Sequence, residues 1–293
     1  MPSATLIPPT PHDKEPITIT RDHCASLFAP RSNDAHKGTF GTVAIVGGSE
    51  GMVGAPLLAG RAALKGGAGK VCLGFAQAEC PISVDTEHPE LMLHTAMSLL
   101  HRDIVIDAWV VGCGLGTGSQ AKQLLQTLLS LCGHAPLVID ADGLNLLATQ
   151  PVPNWERTPV ILTPHPAEAA RLLGCSTREV QANRQSAARA LANHYQAWIV
   201  LKGAGTLIHT PQGECWINRT GNPGLATAGT GDVLAGLLGS LLAQHFTIKE
   251  AVLGAVWLHG SAADLLVESG IGPIGLTAGE LANAIRQLRN NHA

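Results

Sequence analysis

The chain has 293 residues, of which 45% are hydrophobic and only 14% are charged, and this balance excludes an intrinsically disordered protein. A formal net charge of -3 and an aromatic content of 3% disfavour nucleic-acid binding, which depends on basic surfaces and stacking rings. The length allows one large α/β domain or two small ones.

Seven cysteines are scattered along the chain without a C-x-x-C pair, a pattern typical of reduced thiols in a cytoplasmic protein. Residues 1–16 are rich in proline and lack the apolar core of a signal peptide. No apolar run approaches the roughly 20 residues that cross a bilayer. We therefore expect a cytoplasmic protein without a membrane partner and with a flexible N-terminal arm at residues 1–16.

Strand-like and helix-like segments alternate from about residue 42 onward. The pattern predicts strands at 42–46, 70–75, within 104–111, and at 137–140, 160–163 and 198–201. It predicts a hairpin from 206–209 and 214–218, and helices at 55–65, 120–131, 232–244, 249–267 and 277–288. Buried strands that alternate with helices predict an α/β fold, with a mainly parallel sheet covered on both faces. No linker divides the chain, so we expect a single domain over residues 17–293.

Polar and glycine-rich clusters follow several of these strands, at 112–116, 140–145, 163–168 and 202–206. In open α/β sheets the ligand lies outside the carboxyl ends of the strands. These four clusters are therefore predicted to converge on one crevice, together with the turn at 229–232.

The turn Gly229-Thr230-Gly231-Asp232 opens the predicted helix at 232–244. A glycine-rich helix start presents bare backbone N–H groups and the positive end of the helix dipole, which together bind phosphate. Asp232 would repel phosphate there unless it serves as a general base for a group that attacks it. The alternative is a plain helix N-terminus with Asp232 as a capping residue.

Two further strand ends carry candidate ligand-binding residues. Lys202 stands beside Gly203 and Gly205, as expected of a nucleotide-binding loop or, alternatively, of a turn with a solvated lysine. His165 lies between two prolines, whose rings restrict the backbone. This histidine is predicted either to contact substrate or to serve only as a turn residue, and Glu168 either to cap the next helix or to approach a metal.

Asp140 and Asp142 end another strand, where they can hold Mg²⁺ or cap the following helix. No set of soft ligands suggests zinc. Arg61 and Lys65, one helical turn apart, are interpreted as a solvated helix face. Two apparent nucleotide motifs fail: residues 66–70 lack the first glycine and the Ser/Thr of a P-loop, and residues 112–118 have threonine at the third glycine of a dinucleotide fingerprint.

Taken together, these residues resemble the ADP-dependent NAD(P)H-hydrate dehydratases of the ribokinase-like superfamily. The Gly-Thr-Gly-Asp turn marks only the superfamily, whereas the T-P-H-P segment and the K-G-T-F-G-T-V start are more specific to the dehydratases. The matching segments are HKGTFGTVAIVGGS (36–49), GAPLLAGRAALKGGAGKV (54–71), VGCGLG (111–116), VIDADGLNLLA (138–148), ILTPHPAEAARLLG (161–174), VLKGAGTLI (200–208) and NPGLATAGTGDVLAGLLGSLLAQ (222–244).

The resemblance implies a ribokinase-like three-layer α/β/α fold and the repair of hydrated NADH or NADPH at the expense of ADP, with Mg²⁺. Asp232 would deprotonate the C6 hydroxyl of the hydrate, and backbone N–H groups of 228–231 would stabilise the transferred phosphoryl group. The other implied contacts are Ala55, Gly114, His165 and Asp232 to the hydrate, and Lys202, Gly203, Ala204, Gly205, Thr206 and Gly231 to the nucleotide. A separate epimerase and a homotetramer are also implied.

Two positions depart from the pattern of that family. Cys113 stands where proline is usual, and Ala167 where glycine often follows T-P-H-P. The main alternative function is a ribokinase-like small-molecule kinase for a hydroxymethylpyrimidine or hydroxyethylthiazole, which would leave the phosphoryl group on its product. A second alternative is a non-catalytic nucleotide sensor, which would not need Asp232.

Overall fold

A computed structural model describes residues 15–155 and 158–291 of the chain. The arm predicted at 1–16 lies outside the described residues except for its last two positions. Ten strands form one sheet in the order β1-β10-β9-β8-β7-β6-β5-β2-β3-β4. The strands are β1 (Ile17–Thr18), β2 (Thr42–Gly47), β3 (Lys70–Phe75), β4 (Met92–Thr95), β5 (Ala108–Val111), β6 (Leu137–Ile139), β7 (Val160–Leu162), β8 (Trp198–Leu201), β9 (Thr206–His209) and β10 (Cys215–Asn218).

Strand direction follows the sequence prediction. Every neighbouring pair is parallel except β8 with β9 and β9 with β10, which are antiparallel. The predicted hairpin is therefore β9 and β10, and the predicted mainly parallel sheet is confirmed. Because β2, β5, β6, β7 and β8 run in the same direction, the loops that follow them leave from one edge of the sheet.

Helices cover both faces of the sheet. They are α1 (Gly54–Lys65), α2 (Ala96–Leu100), α3 (Ser119–Leu131), α4 (Asp142–Leu147), α5 (Pro166–Leu173), α6 (Thr177–Ala182), α7 (Arg184–Tyr195), α8 (Thr230–Ala243), α9 (Ile248–Glu268) and α10 (Ala278–Asn290), with short 3-10 helices at Arg21–Phe28 and Pro223–Leu225. One core lies between the sheet and α1, α8, α9 and α10, and the other between the sheet and α2 to α7. This is the three-layer α/β/α arrangement.

The side chains of the central strands alternate between these two cores. In β2, Val43 and Ile45 enter the first core, and Ala44 and Val46 enter the second. A strand that is buried on both faces carries apolar residues at every position, which explains why these strands were readable in the sequence. All predicted elements are present.

Helix α9 differs from the expectation that no apolar run reaches the length of a membrane span. Its 21 residues are long and apolar enough by length and composition, and 67% of the most apolar window is buried inside the protein. The helix packs against α8 and α10. The apolar character of α9 is therefore that of a core helix.

Candidate functional site

The carboxyl edge of the sheet gathers the polar clusters that the sequence singled out. Parallel β5, β6, β7 and β8 end at Val111, Ile139, Leu162 and Leu201. Their loops therefore lie side by side, and α8 begins beside them. The convergence predicted from strand ends is present in the structure.

Gly229 precedes the first turn of α8 and has a φ of +89°, in the left-handed region that favours glycine. A Cβ at this position would also stand 2.5 Å from Cδ1 of Leu58. The cap position itself carries no side chain, and no side-chain hydrogen bond caps the start of the helix among the described residues. The first N–H groups of α8 are therefore available to an anion.

Asp232 is the third residue of α8 and is largely buried. Burial raises the pKa of this carboxyl group to about 6, with a further increase from the nearby carboxylate of Asp140. A hydrogen bond from the thiol of Cys113 and the charge of Lys202 act in the opposite direction. A carboxylate with this pKa is mostly ionised at neutral pH and is more basic than an exposed aspartate, as a general base requires.

Lys202 and Asp140 form an ion pair next to Asp232. The Nζ–Oδ1 distance is 2.6 Å, and the side chains are only 19% and 2% exposed. Burial by itself would lower the pKa of Lys202, but the carboxylates of Asp140 and Glu168 more than offset it and hold the pKa above its ordinary value. The interpretation of Lys202 as a solvated residue is therefore wrong.

Arg184 at the start of α7 holds the loop that follows β8. Its Nη1 donates to the carbonyl of Ala204 at 2.6 Å, and its Nη2 donates to the carbonyl of Leu201 at 3.1 Å. Gly203 has a φ of +140°, and a Cβ there would stand 3.0 Å from Arg184 Nη2. The hydroxyl of Thr206 donates to the Gly203 carbonyl at 3.0 Å. The loop is thus fixed by its own chain rather than by solvent.

A cleft of about 620 Å³ opens beside this loop. It is lined by all six residues predicted to bind the nucleotide: Lys202, Gly203, Ala204, Gly205, Thr206 and Gly231. The opposite wall includes the segment 218–223 and His259. The volume lies within the range typical of small-molecule sites.

Asp264 of α9 anchors that opposite wall. One carboxylate oxygen accepts from the backbone N–H of Gly221 at 2.7 Å, and the other accepts from the side-chain amide of Asn222 at 3.0 Å. Gly260 is packed so closely that a Cβ there would stand 2.2 Å from the hydroxyl of Thr220. The wall is therefore held against α9 by hydrogen bonds and by close backbone approach.

His259 joins α9 to the start of α8. Its Nε2 lies 2.9 Å from the carbonyl oxygen of Thr230, and because a carbonyl only accepts, Nε2 carries the proton. Burial lowers the pKa of His259 to about 4, and Lys202 lowers it further, against the effect of the Thr230 carbonyl. The imidazole is therefore neutral, and it fixes the Gly229–Asp232 turn.

Ala55 and Gly114, both predicted to contact the hydrate, lie together. Gly114 has a φ of +60°, and a Cβ there would stand 3.2 Å from Cβ of Ala55 and 2.8 Å from Cβ of Met52. The backbone N–H of Ser49 donates to the Gly114 carbonyl at 2.7 Å, and that of Gly48 to the Cys113 carbonyl at 3.0 Å. The glycine segments after β2 and β5 thus form one surface.

His165 occupies the N-cap position of α5. Its Nδ1 accepts from the backbone N–H groups of Ala167 and Glu168, at 3.1 and 3.3 Å, and Glu168 accepts from the backbone N–H of His165 at 2.8 Å. The predicted capping role of Glu168 is therefore confirmed. Burial lowers the pKa of His165, and the cations Lys202 and Arg171 lower it further. The half-exposed ring is neutral, and its Nε2–H lies 3.3 Å from Oε1 of Glu168, at the exposed side of the cap.

Asp142 faces the glycine loop after β5. Its Oδ2 accepts from the backbone N–H of Gly116 at 2.9 Å, and its Oδ1 from the side-chain amide of Asn145 at 3.3 Å. It is also the first residue of α4. No group of three His, Cys, Asp or Glu side chains within the described ranges could hold a metal ion. Asp140 and Asp142 thus have no third such ligand beside them in the described ranges.

Comparison with known proteins identifies the family. A family model described as NAD(P)H-hydrate dehydratase matches residues 43–287. The chain is 52% identical over 267 residues to the ADP-dependent (S)-NAD(P)H-hydrate dehydratase of Neisseria meningitidis serogroup B, and this alignment covers 90% of both chains. The chain belongs to the NAD(P)H-hydrate dehydratase family.

Other members of the NAD(P)H-hydrate dehydratase family support the fold and differ in length. The crystal structure of the ADP/ATP-dependent NAD(P)H-hydrate dehydratase from Bacillus subtilis, co-crystallised with ATP and Mg²⁺, superposes with a TM-score of 0.83. It is 35% identical, and the match covers 93% of this chain and 97% of that one. The bifunctional NAD(P)H-hydrate repair enzyme Nnr of Coxiella burnetii is 43% identical over 270 residues, which are 90% of this chain but 53% of the relative.

Four residues around this dehydratase-family site were not predicted from the sequence as site residues. Cys113 stands within the glycine-rich cluster 112–116, but in the sequence it is marked only as a departure from the family pattern. Arg184, His259 and Asp264 lie at least 17 positions from the residues they hold, and none of these three stands in a glycine-rich or proline-rich motif. The pairing of Lys202 with Asp140 had one signal in the sequence, because each residue directly follows a strand of the predicted parallel sheet; the two strands, β6 and β8, are separated only by β7.

Proposed function

We propose that this protein dehydrates the S-epimer of hydrated NADH and NADPH at the expense of ADP. The observation that carries the proposal is the position of Asp232. This partly buried carboxyl group, with a pKa of about 6, adjoins Gly231 of the nucleotide cleft. It also lies against Cys113, which is the neighbour of Gly114 on the predicted hydrate surface. A base between a nucleotide and an acceptor is the arrangement that phosphoryl transfer needs.

In the proposed reaction, Asp232 takes the proton of the C6 hydroxyl, and the hydroxyl oxygen forms a bond to the β-phosphorus of ADP. The bond from that phosphorus to the bridging oxygen breaks, and AMP leaves. The backbone N–H groups at the start of α8 face the charge that develops on the transferred group. Phosphate then departs from C6 as C5 loses a proton, which restores the C5–C6 double bond. The sum is hydrate plus ADP giving NAD(P)H, AMP and phosphate.

The remaining residues bind and orient the reactants. Lys202, Gly203, Ala204, Gly205, Thr206 and Gly231 bind the nucleotide, and Arg184 holds their loop in place. Ala55 and Gly114 form the surface for the nicotinamide hydrate, where glycine at 114 allows the loop to pack closely against Met52 and Ala55. His165 offers its Nε2–H to the hydrate. His259 and the Cys113 thiol fix the turn and the carboxylate of Asp232.

Mg²⁺ is compatible with these residues. Protein-bound Mg²⁺ keeps several waters and is held by phosphates with one or two carboxylates, so a complete protein cage is not needed. Asp140 would hold the ion through Oδ2, because Oδ1 binds Lys202. Oδ2 lies near Gly231 of the nucleotide cleft, 3.7 Å from the point where a Cβ on that glycine would stand. When bound, the ion supplies charge neutralisation on the nucleotide phosphates.

The cellular setting completes the proposal. We place the protein in the cytoplasm as a homotetramer, with residues 17–293 as one catalytic domain. A separate NAD(P)H-hydrate epimerase would supply the S-epimer, because an active site that orients one C6 hydroxyl towards Asp232 does not orient the other. Light scattering coupled to size-exclusion chromatography measures the oligomeric state, and a monomer would remove that part of the proposal.

The decisive experiment follows the absorbance of the reduced nicotinamide. The protein is incubated with NADPH hydrate, Mg²⁺ and ADP, with an Asp232→Asn variant as the control. We expect absorbance to recover with wild type and AMP to form in equal amount. If neither ADP nor ATP restores absorbance, the protein is not a dehydratase. A stable phosphorylated product from hydroxymethylpyrimidine or hydroxyethylthiazole would instead favour the kinase alternative.

A further inference from the structure

A second large cavity, of about 800 Å³, lies at the far ends of the two helices that carry the active site. Lys65 ends α1, which begins beside Ala55, and Gln244 caps α8, which begins beside Asp232. Both residues line the cavity. A 14-residue helix is about 21 Å long, so this cavity is separate from the nucleotide cleft.

Four permanent cations line the cavity against one carboxylate. The cations are Arg31, Lys65, Arg286 and Arg289, and the carboxylate is the exposed Glu90. The nearby Glu87 accepts from Arg61 instead, at 2.6 Å. A concentration of positive charge on a chain whose net charge is -3 is not explained by overall composition. It creates a local field that attracts anions.

Arg31 and Arg289 approach each other with only neutral acceptors between them. Both guanidinium groups donate to the same oxygen, Oε1 of Gln244, at 3.2 Å each. Arg289 also donates to the carbonyls of Leu27 and Gly66, and Arg31 to that of Gly67. The carbonyls that would repel an anion at these helix ends are therefore already hydrogen bonded to cations.

Lys65 and Arg286 form a second pair of like charges. Lys65 Nζ donates to the side-chain oxygen of Asn283, again a neutral acceptor. Burial lowers the pKa of Lys65, and the charge of Arg286 lowers it further. The carboxylate of Glu87 acts in the opposite direction but does not offset these effects. Like charges held together cost free energy, and a bound anion would reduce that cost for both pairs.

The cavity also contains groups suited to a ligand with several phosphates. Phe40 and Phe246 line it, and the guanidinium of Arg31 stacks on the ring of Phe40 at 3.5 Å, which holds that cation in a fixed plane. Guanidinium groups bind phosphate in a forked geometry. Two separated cation pairs require more than one anionic group on the ligand, and the volume exceeds what a single phosphate occupies.

We propose that this basic cavity, lined by Arg31, Lys65, Arg286 and Arg289, binds a small molecule that carries a diphosphate or longer phosphate chain. The ligand would place one phosphate between Lys65 and Arg286 and another near Arg31 and Arg289. The site is independent of the nucleotide cleft, and it does not depend on the dehydratase reaction.

Isothermal titration with inorganic pyrophosphate tests the site without any turnover. We expect wild type to bind pyrophosphate at low ionic strength, with affinity that falls as salt rises because the charges are screened. Arg286→Glu, on the exposed side of α10, should weaken this binding at least tenfold. The matched control is Lys122→Glu, an exposed residue of α3 with the same change of charge, and it should bind within twofold of wild type.

The nucleotide cleft is a second anion site, and the double variant Lys202→Met/Asp140→Asn, which removes both charges of the buried pair, separates the two. Pyrophosphate binding that survives in this folded double variant and is lost in Arg286→Glu supports the basic cavity. Binding that is lost in the folded double variant and unchanged in Arg286→Glu, or weakened equally by Lys122→Glu, overturns it. The ligand could be a nucleotide or an inorganic phosphate chain, and repeating the titration with ADP and with tripolyphosphate distinguishes them. If the binding that depends on Arg286 is tighter for ADP, the ligand is a nucleotide. If it is tighter for tripolyphosphate, the ligand is a phosphate chain.

Discussion

The thiol of Cys113 lies against the carboxylate of Asp232, and their interaction lowers the pKa of that carboxyl group while raising the pKa of the thiol. Cys113 is fully buried, and burial raises the pKa of its thiol well above the ordinary value, with the charges of Asp232 and Asp140 acting in the same direction. The thiol therefore remains protonated and serves only as a donor. At this position the sequence resemblance expects proline, whose side chain has no donor at all, so this chain stabilises its base carboxylate by a contact of its own.

The acid limb of the pH–rate profile should report Asp232. A general base works only when deprotonated, and the pKa of Asp232 is about 6. We expect kcat/KM for the hydrate to rise tenfold per pH unit below pH 6 and to level off above it. Initial rates from pH 4.5 to 8.5 at fixed ADP measure this. A flat profile through pH 6 would show that Asp232 is not the titrating base.

Removing the thiol of Cys113 should move the acid limb of the pH–rate profile to higher pH. Cys113→Ala deletes a donor to the charged carboxylate, which contributes roughly 1–3 kcal/mol. Since one pKa unit corresponds to about 1.4 kcal/mol, we expect an upward shift on the order of one pH unit. Cys113→Ser retains a donor and should stay near wild type.

Cys72→Ala is the matched control for the thiol experiment. Cys72 is equally buried, lies in β3, and belongs to the core on the other face of the sheet. It should lose a similar amount of stability through its small cavity while keeping the wild-type pH profile. Equal shifts in both cysteine variants would assign the effect to packing rather than to the hydrogen bond.

Removing only one charge of the Lys202–Asp140 pair should lower the free energy of unfolding. Lys202→Met leaves the carboxylate of Asp140, 2% exposed, without its counter-charge, and such changes destabilise by roughly 3–5 kcal/mol. The double variant Lys202→Met/Asp140→Asn removes both charges and should recover most of that loss. Urea denaturation at pH 7 measures the free energy of unfolding. If the two losses simply add, the residues do not act as a pair.

His165 combines a structural and a binding role, and two substitutions separate them. His165→Ala removes the cap of α5, which costs about 1 kcal/mol, together with the Nε2–H. His165→Asn restores a capping oxygen but not the Nε2–H. We expect only the alanine variant to lose thermal stability, and both variants to show a raised KM for the hydrate with KM for ADP little changed. An unchanged hydrate KM in the asparagine variant would leave His165 as a cap alone.

The sequence predicted those parts of the fold whose signal is local. Strands buried on both faces read as continuous apolar runs, and α8 and α9 are apolar over most of their length. Helix α7 was missed because its buried positions are mainly alanines, such as Ala187 and Ala188, which give weak hydrophobic periodicity. Strand β4 was missed because it lies at the sheet edge and is only partly buried at all four positions.

In the candidate site, too, the sequence predicted the local features but not the contacts between distant segments. Backbone features of the site were readable, because glycine and proline mark unusual turns in the sequence itself. Contacts between distant segments were not readable: Arg61, interpreted as solvated, binds Asp85 through two nitrogens at 2.8 Å each. Cys113 likewise lies against Asp232, although 119 positions separate the two residues in the sequence. Only the sheet topology brings such pairs together.

Asp232→Asn should abolish turnover and also stabilise the protein. General base catalysis contributes roughly 10²- to 10⁴-fold, so we expect a loss of that size while ADP still binds. The folded-state pKa of Asp232 is about 6 against an ordinary 3.8, so ionisation opposes folding. At about 1.4 kcal/mol per pKa unit, asparagine should gain up to about 3 kcal/mol above pH 6. The gain should vanish as the pH falls from 6 to 3.8, because the wild-type carboxyl is then protonated in both states. Urea denaturation of both proteins at pH 7.5 and pH 4 measures it, and an equal difference at both pH values would show that the gain does not arise from the buried charge.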